Sequence, residues 1–404
     1  MSRDVSGPTI ESGEGGPLFY IIAGEASGDV LGAGLMRGLK QLTGGRARFV
    51  GVGGDRMAEE GLDSLFPISE MAVMGVFEIL PHAPRLLRRV AETVEDVVRS
   101  RPVALITIDS KAFTMRVARR LRKRREAGGE RIPLIHMVAP TVWAWRPGRA
   151  KVISRFLDHL LVLFPFEPPY FLRHGLATTF IGHPAVDQPL GDGAAFRGRF
   201  GIPGDATVIA VLPGSRLGEV KRLLPVFGRT VERLRARYPK LHAVVPTVSV
   251  VADLVETSIA DWTTPVSVVR DVAYKADAFA TSDVALATSG TVTLELSLAR
   301  VPTVVAYRVN PLTVPIGHLL VNRDSVILTN RILERQILPL FIQSECTPDA
   351  LGVAVTRLLD DGTARAEQIK AADEVARLLR AGDETASISA ARAVLDAIGM
   401  TSRQ

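Results

Sequence analysis

A short apolar run, a glycine-bearing turn and a one-faced helical stretch recur along this chain, and that unit limits its fold more than any other feature. Residues 18–23 (LFYIIA) form the first run, and Leu31, Leu35, Leu39 and Leu42 then repeat at helical spacing over 28–42. A second run spans 103–108 and leads into a basic helix over 113–125; 132–138 and 160–164 are further strands. Strands apolar on both faces must be buried on both faces, and strands separated by helices run parallel. The expected fold class is therefore α/β, with parallel sheets covered on both sides.

The rhythm pauses over 182–205 (GHPAVDQPLGDGAAFRGRFGIPGD), whose Gly, Pro and Asp content reads as a linker. It then restarts, with strands over 207–212, 241–246, 284–288 and 303–307. The expected domains are 1–187, 188–363 and a helical segment 364–404 that packs back on the fold or across a dimer. Two such domains would place a cleft between them, with ligands bound beyond the carboxyl ends of the strands. Composition removes other classes. With 47% hydrophobic and 23% charged residues the chain is not disordered, and its single cysteine, Cys346, excludes an internal disulfide and a cysteine metal site. That cysteine usage fits the cytoplasm; no uncharged apolar run reaches the about 18 residues of a membrane span, and 1–17 lacks the apolar centre of a secretory signal. The net charge of +6 suits an anionic partner.

Five stretches could carry chemistry. Gly24-Glu25-Ala26-Ser27-Gly28-Asp29 joins strand to helix; Gly24 and Gly28 permit close backbone approach, and the helix start offers free N–H groups to phosphate. Read blandly, it is a tight turn. Asp109 ends a strand and is either a general base or the N-cap of the next helix. That helix carries eight cations and no acid over 111–125, either a solvated face or a contact for phosphate or anionic lipid. Leu212-Pro213-Gly214-Ser215-Arg216 delivers an arginine at a strand-to-helix turn, where its fork suits a diphosphate. Thr288-Ser289-Gly290-Thr291 opens an apolar helix in which Glu295 shares a face with Thr291, fitting phosphate and ribose. Finally, Met71, Val73, Met74, Val76, Phe77 and Leu80 crowd beside Arg85, Arg88 and Arg89, which fits a lipid surface or an ordinary core segment. Trp143 and Trp145 are equally open between core and interface, and the histidines show no metal spacing.

Taken together, AGEASGDVLGAGLMRGLK, FVGVGGDRM, EMAVMGVFEIL, VWAWRPGR, FIGHPAVD, LPGSRLGEV, SGTVTLEL and LTNRILERQILPLFIQSECTP resemble the lipid-A-disaccharide synthase family over about residues 18–350. The resemblance implies a GT-B fold: two Rossmann-like, doubly wound domains facing a cleft. The first would meet acceptor and membrane, the second the UDP-sugar. It implies an inverting transfer of 2,3-diacylglucosamine from UDP-2,3-diacylglucosamine to the 6-hydroxyl of 2,3-diacylglucosamine 1-phosphate (lipid X), without cofactor or metal. By the same resemblance Asp109 is the base and Arg216 neutralises UDP. Gly24, Glu25, Ser27, Gly28, Gly214, Ser215, Ser289, Gly290, Thr291, Glu295 and Asn330 belong to substrate and nucleotide binding. The implied partners are the two substrates, the anionic cytoplasmic face of the inner membrane, and a second copy in a homodimer, but no nucleic acid. One departure stands out. The family's Asp-x-Pro-Asp-Phe is here Asp109-Ser110-Lys111-Ala112-Phe113, so the second carboxylate is missing and Lys111 is placed to pair with Asp109. The alternative is another UDP-sugar enzyme on the same scaffold, a peptidoglycan-type transferase or a sugar 2-epimerase. A nucleic-acid binder using 111–125 would leave the glycine turns of the second half unexplained.

Overall fold

The computed structural model describes residues 15–72, 79–110, 112–143, 147–308 and 326–400. The chain divides into two compact units, 1–184 with 380–404, and 185–379. In the first, seven parallel strands lie in the order β3 (Asp63–Ser64), β2 (Arg48–Val52), β1 (Leu18–Ala23), β4 (Ala104–Ile108), β5 (Leu134–Met137), β6 (His159–Val162) and β7 (Ala177–Phe180). Side chains alternate along a strand, so β1 feeds two cores. Tyr20 and Ile22 pack with Leu86, Val90 and Val94 of the helix Ile79–Ser100 and Val117 and Leu121 of the helix Thr114–Glu126. Phe19, Ile21 and Ala23 pack with Leu35, Met36 and Leu39 of the helix Ala26–Leu42. This is why the strands read as unbroken apolar runs.

The second core is closed from far along the chain. The helix Ala386–Ala397 lays Ala390, Ala391 and Val394 on it. It approaches so closely that a methyl group at Gly38 would lie 2.5 Å from the Ser387 carbonyl oxygen. The preceding helix, Gly362–Leu378, stays with the second unit. The segment 364–404, expected to act as one piece, is therefore shared between the units.

The second unit holds six parallel strands in the order β10 (Val266–Val269), β9 (Leu241–Pro246), β8 (Thr207–Leu212), β11 (Val284–Thr288), β12 (Thr303–Tyr307) and β13 (Leu340–Ile342). Ile209 and Val211 pack on the helices Leu217–Arg237 and Pro348–Asp360, while Ala210 and Leu212 pack toward Leu296 of the helix Thr291–Leu298. The linker expected over 182–205 contains a helix, Gly193–Phe200. Asp192 caps its start by accepting from the Ala195 N–H at 2.9 Å, and Gly201 ends it at φ +64°. Its Asp and Gly are capping residues, and Phe196 anchors it in a core.

Both sheets share one topology. The first strand lies inside the sheet and the fourth pairs on its other side, so strand order reverses between β1 and β4 and between β8 and β11. At such a switch point the flanking turns diverge and leave room for a ligand.

Candidate functional site

In the second unit the switch point is open. β8 ends at Leu212, and Pro213-Gly214-Ser215-Arg216 turns into the helix Leu217–Arg237. Gly214 sits at φ +122°, and a methyl group there would lie 2.6 Å from a Glu219 carboxylate oxygen. That carboxylate accepts from the Ser215 N–H at 3.3 Å and pairs with Arg216 Nη1 at 2.8 Å. Glu219 thus receives the donors an anionic ligand would use. The Arg216 side chain is 81% exposed, so it is free to swing to another anion.

On the other side of the switch point β11 ends at Thr288. The Ser289 hydroxyl donates to the Val326 carbonyl at 2.6 Å, fixing this turn. Thr291 opens the helix Thr291–Leu298, and no side chain caps it, which leaves donor N–H groups at its start. One turn on, Glu295 is ion-paired with Lys275, the first residue of the helix Lys275–Ala280. Gly214, Ser215, Arg216, Ser289, Gly290, Thr291 and Glu295 all line one cavity of about 510 Å³. Leu212, Pro246, Val248, Val269, Val272 and Val292 give it apolar walls. Its size and mixed lining suit a small-molecule ligand.

Asn330 is not brought to this cavity. Its amide nitrogen donates to Gln336 Oε1 at 3.2 Å and to the Leu338 carbonyl at 2.9 Å. Its amide oxygen accepts from the Ile337 and Leu338 N–H groups at 3.0 and 2.9 Å. Both donors and both acceptor sites are used, so the side chain holds the turn 334–338 and has no capacity left for a ligand.

In the first unit the two turns at the switch point touch, and their backbone is strained. Gly24 follows β1 and packs against Ser110, which follows β4; any side chain at Gly24 would collide with it. Gly28 packs on Ile108 in the first turn of the helix Ala26–Leu42, with Glu25 and Ser27 exposed beside it. Asp29, the last residue of that motif, is structural: its carboxylate accepts from the N–H groups of Gly54, Arg56 and Met57 at 2.8, 3.0 and 3.1 Å. Asp109 and Ser110 both adopt left-handed backbone, φ +45° and +44°. Each costs about 1–2 kcal/mol in a non-glycine residue. The strain is held by Thr114, whose hydroxyl lies 2.7 Å from the Asp109 carbonyl and 2.9 Å from that of Ser110. Asp109 is not an N-cap, because the next helix begins at Thr114 with Phe113 before it. Its carboxylate has no hydrogen-bond or ion-pair partner among the described residues. Lys111 lies outside them.

Of the expected lipid-facing residues, Met71 needs correction. Met71 is buried in the first unit's core, packed inside and not displayed. Arg85 and Arg89 bind Glu70 at 3.0 and 2.8 Å, and Arg89 also binds Glu92 at 2.7 Å. These guanidinium groups, Arg89 foremost, hold the Glu70 carboxyl below its ordinary range. Arg88 is exposed, next to Leu87, itself 46% exposed. Val73, Met74, Val76 and Phe77 and the side chain of Leu80 lie outside the described residues. On the basic helix, Arg122 and Arg125 pair with Asp158 at 3.4 and 2.9 Å, Arg124 pairs with Glu95, and Arg119 covers the Phe156 ring. Arg116 donates to the Ala112 carbonyl, so five of the seven cations on this helix are engaged within the unit. Trp143 is a packing residue that donates to Glu167 at 3.3 Å; Trp145 lies outside the described residues.

Sequence reasoning missed Glu219 and Lys275. Glu219 had a signal, because it stands three residues after Arg216, within reach on one helix face. Lys275 had none; only the fold brings it to Glu295.

Known proteins resemble this chain over nearly its whole length. Residues 19–394 match the family model described as lipid-A-disaccharide synthetase. A lipid-A-disaccharide synthase from Rhodospirillum centenum is 51% identical over 383 residues, 94% of this chain and 94% of that one. Among solved structures, a putative UDP-N-acetylglucosamine 2-epimerase from Listeria monocytogenes superimposes with TM-score 0.66 at 14% identity, covering 96% of this chain and 98% of that one. The glycotransferase of kitacinnamycin does so with TM-score 0.60 at 17% identity, covering 95% and 99%. These two show the shared GT-B fold.

Proposed function

The chain belongs to the lipid-A-disaccharide synthase family, and from that premise we propose how its residues divide the reaction. It is a UDP-sugar glycosyltransferase of lipid A biosynthesis. It moves the 2,3-diacylglucosaminyl group of UDP-2,3-diacylglucosamine to the 6-hydroxyl of lipid X, releasing UDP.

Asp109 takes the proton of the acceptor's 6-hydroxyl. The oxygen attacks the anomeric carbon of the α-linked donor, and the bond from that carbon to the diphosphate oxygen breaks. Its electron pair leaves with UDP, and a β-1,6 bond forms by a single displacement. Arg216 leaves Glu219 for the diphosphate and neutralises the charge that develops there. Ser289, Gly290 and Thr291 offer backbone donors to the phosphates, and Glu295 accepts from ribose hydroxyls. Gly24 and Gly28 shape the turn beside Asp109, with Glu25 and Ser27 on the acceptor side. The observation that carries this reading is the second unit's switch-point cavity, where Arg216 and the uncapped start of the helix Thr291–Leu298 line one space.

The first unit is also the proposed membrane face. No helix among the described residues is long and apolar enough to cross a bilayer. Attachment would be peripheral, at the anionic cytoplasmic surface. Exposed Leu87 and Arg88 support this, as do Arg120 and Lys123, which carry no carboxylate partner among the described residues.

The test is to incubate the purified protein with both substrates in detergent micelles and analyse the products by mass spectrometry. UDP and a disaccharide 1-phosphate are expected in equal amounts. No disaccharide from well-folded protein overturns the reading.

A further inference from the structure

We propose that Lys275 is a positioning residue for the nucleotide, acting through Glu295. The proposal rests on reading the second unit's cavity as the UDP site. The two side chains meet from different helices, Lys275 at the start of Lys275–Ala280 and Glu295 inside Thr291–Leu298. They are 35% and 36% exposed, and both line the cavity.

The charges in that cavity make the pair informative. Its lining holds three acids, Glu219, Asp271 and Glu295, against two cations, Arg216 and Lys275. Such a lining is one negative charge in excess where an anionic diphosphate is to bind. Arg216 must abandon Glu219 to reach the diphosphate. Lys275 then remains as the charge that keeps Glu295 from repelling the ligand. It also restrains the Glu295 carboxylate, which can then accept from ribose hydroxyls without first being ordered.

Within its helix Lys275 also lies 5.8 Å over the Phe279 ring, but helix stability does not favour a cation at this end. A cation at a helix start opposes the macrodipole, which favours acids there. An ion pair this exposed adds little to folding. Its position serves the cavity.

The experiment titrates UDP and uridine into the wild type, Lys275→Met, Lys275→Arg, Glu295→Gln and the Lys275→Met/Glu295→Gln double variant by calorimetry, alongside donor KM and kcat. Melting temperatures confirm that each variant folds. For Lys275→Met the UDP Kd rises about tenfold, the scale of losing a hydrogen bond to a charged group. The uridine Kd rises too, by a smaller factor, because uridine shares the ribose contact and lacks the diphosphate charge. Donor KM follows, and kcat changes far less. Lys275→Arg restores most of the affinity. The double variant binds no more weakly than the weaker single, as expected for two members of one unit. Weakened UDP binding with unchanged uridine binding would put Lys275 on the diphosphate and overturn the positioning role. Unchanged binding of both would overturn it as well. A wild type that does not bind UDP would refute the reading of the cavity itself.

Discussion

Gly24 packs against Ser110 at the switch point of the first sheet, so the two turns touch. At the same place in the second sheet, Gly214 and Gly290 flank a cavity of about 510 Å³. The topology is identical: a reversal beside the first strand and a glycine turn feeding a helix. What differs is the use of the glycine. Gly24 lets two turns touch, which seats the strained Asp109 at the strand end. Gly214 makes room for Glu219 and Arg216, a charged pair with an exposed guanidinium that a ligand can draw away. Strand order selects the place, and the loop residues select the chemistry. Among the described residues, one unit presents a carboxylate without a partner and the other presents donors for an anion, the two parts that the proposed transfer needs.

The units also differ in how they are closed, which gives the largest expected effect. The first unit depends on the helix Ala386–Ala397 from the far end of the chain. Deleting 380–404 uncovers Leu35, Met36 and Leu39 and removes Ala390, Val394 and Leu395 from the same core. At about 1.5–3 kcal/mol for each large apolar side chain exposed, the loss rivals the stability of a whole domain. Amide exchange should show β1, β4 and β5 losing protection while β8, β9 and β11 keep theirs. Equal loss in both units would break the comparison.

A smaller difference lies in acid stability. Burial pushes His183, which packs over the Phe164 ring, down from 6.5 to about 4, and it lowers His159 too. Among the described residues of the second unit, only His242 shifts this way. A histidine kept neutral in the fold contributes stability that is full above its unfolded value near 6.5. That stability is lost as pH falls toward 4, where the unfolded chain alone has taken up the proton. For His183 the loss is at most about 3 kcal/mol. Denaturant melts at pH 7 and pH 4.5 should show a smaller drop for His183→Gln than for the wild type. Identical drops would remove His183 as a source of the asymmetry.

Much of this architecture was legible in the residues. β1, β8, β9, β11 and β12 coincide with the apolar runs, because central strands buried on both faces leave an unbroken signature. β3, β7, β10 and β13 did not stand out. They lie at sheet edges, are short, and keep side chains partly exposed. β2 is interrupted by Gly51 and begins with an exposed Arg48. The helix Gly193–Phe200 was hidden for a different reason, since the Asp and Gly that cap it are also the residues of linkers. In the site, both glycine turns were visible because each is a local strand-to-helix signal. Lys275 was not, because its partnership with Glu295 spans twenty residues and exists only once two helices pack. Asn330 shows the converse. Resemblance marks it for the nucleotide site, yet its amide is saturated by the turn it holds.

The central claim is that the carboxylate of the first unit and the arginine of the second carry separable parts of one reaction. The most direct measurement is a crossed one, UDP Kd and single-turnover rate for Asp109→Asn and Arg216→Ala. Asparagine tolerates left-handed backbone, so Asp109→Asn removes the charge without adding strain. The account predicts that Asp109→Asn slows turnover by about 10²–10⁴ and leaves UDP affinity within about twofold. For Arg216→Ala it predicts UDP binding weakened by about 10–100-fold, the range for a lost charge-assisted contact. An Asp109→Asn variant that loses UDP affinity as steeply as turnover, or an Arg216→Ala variant that binds UDP like the wild type, would contradict it.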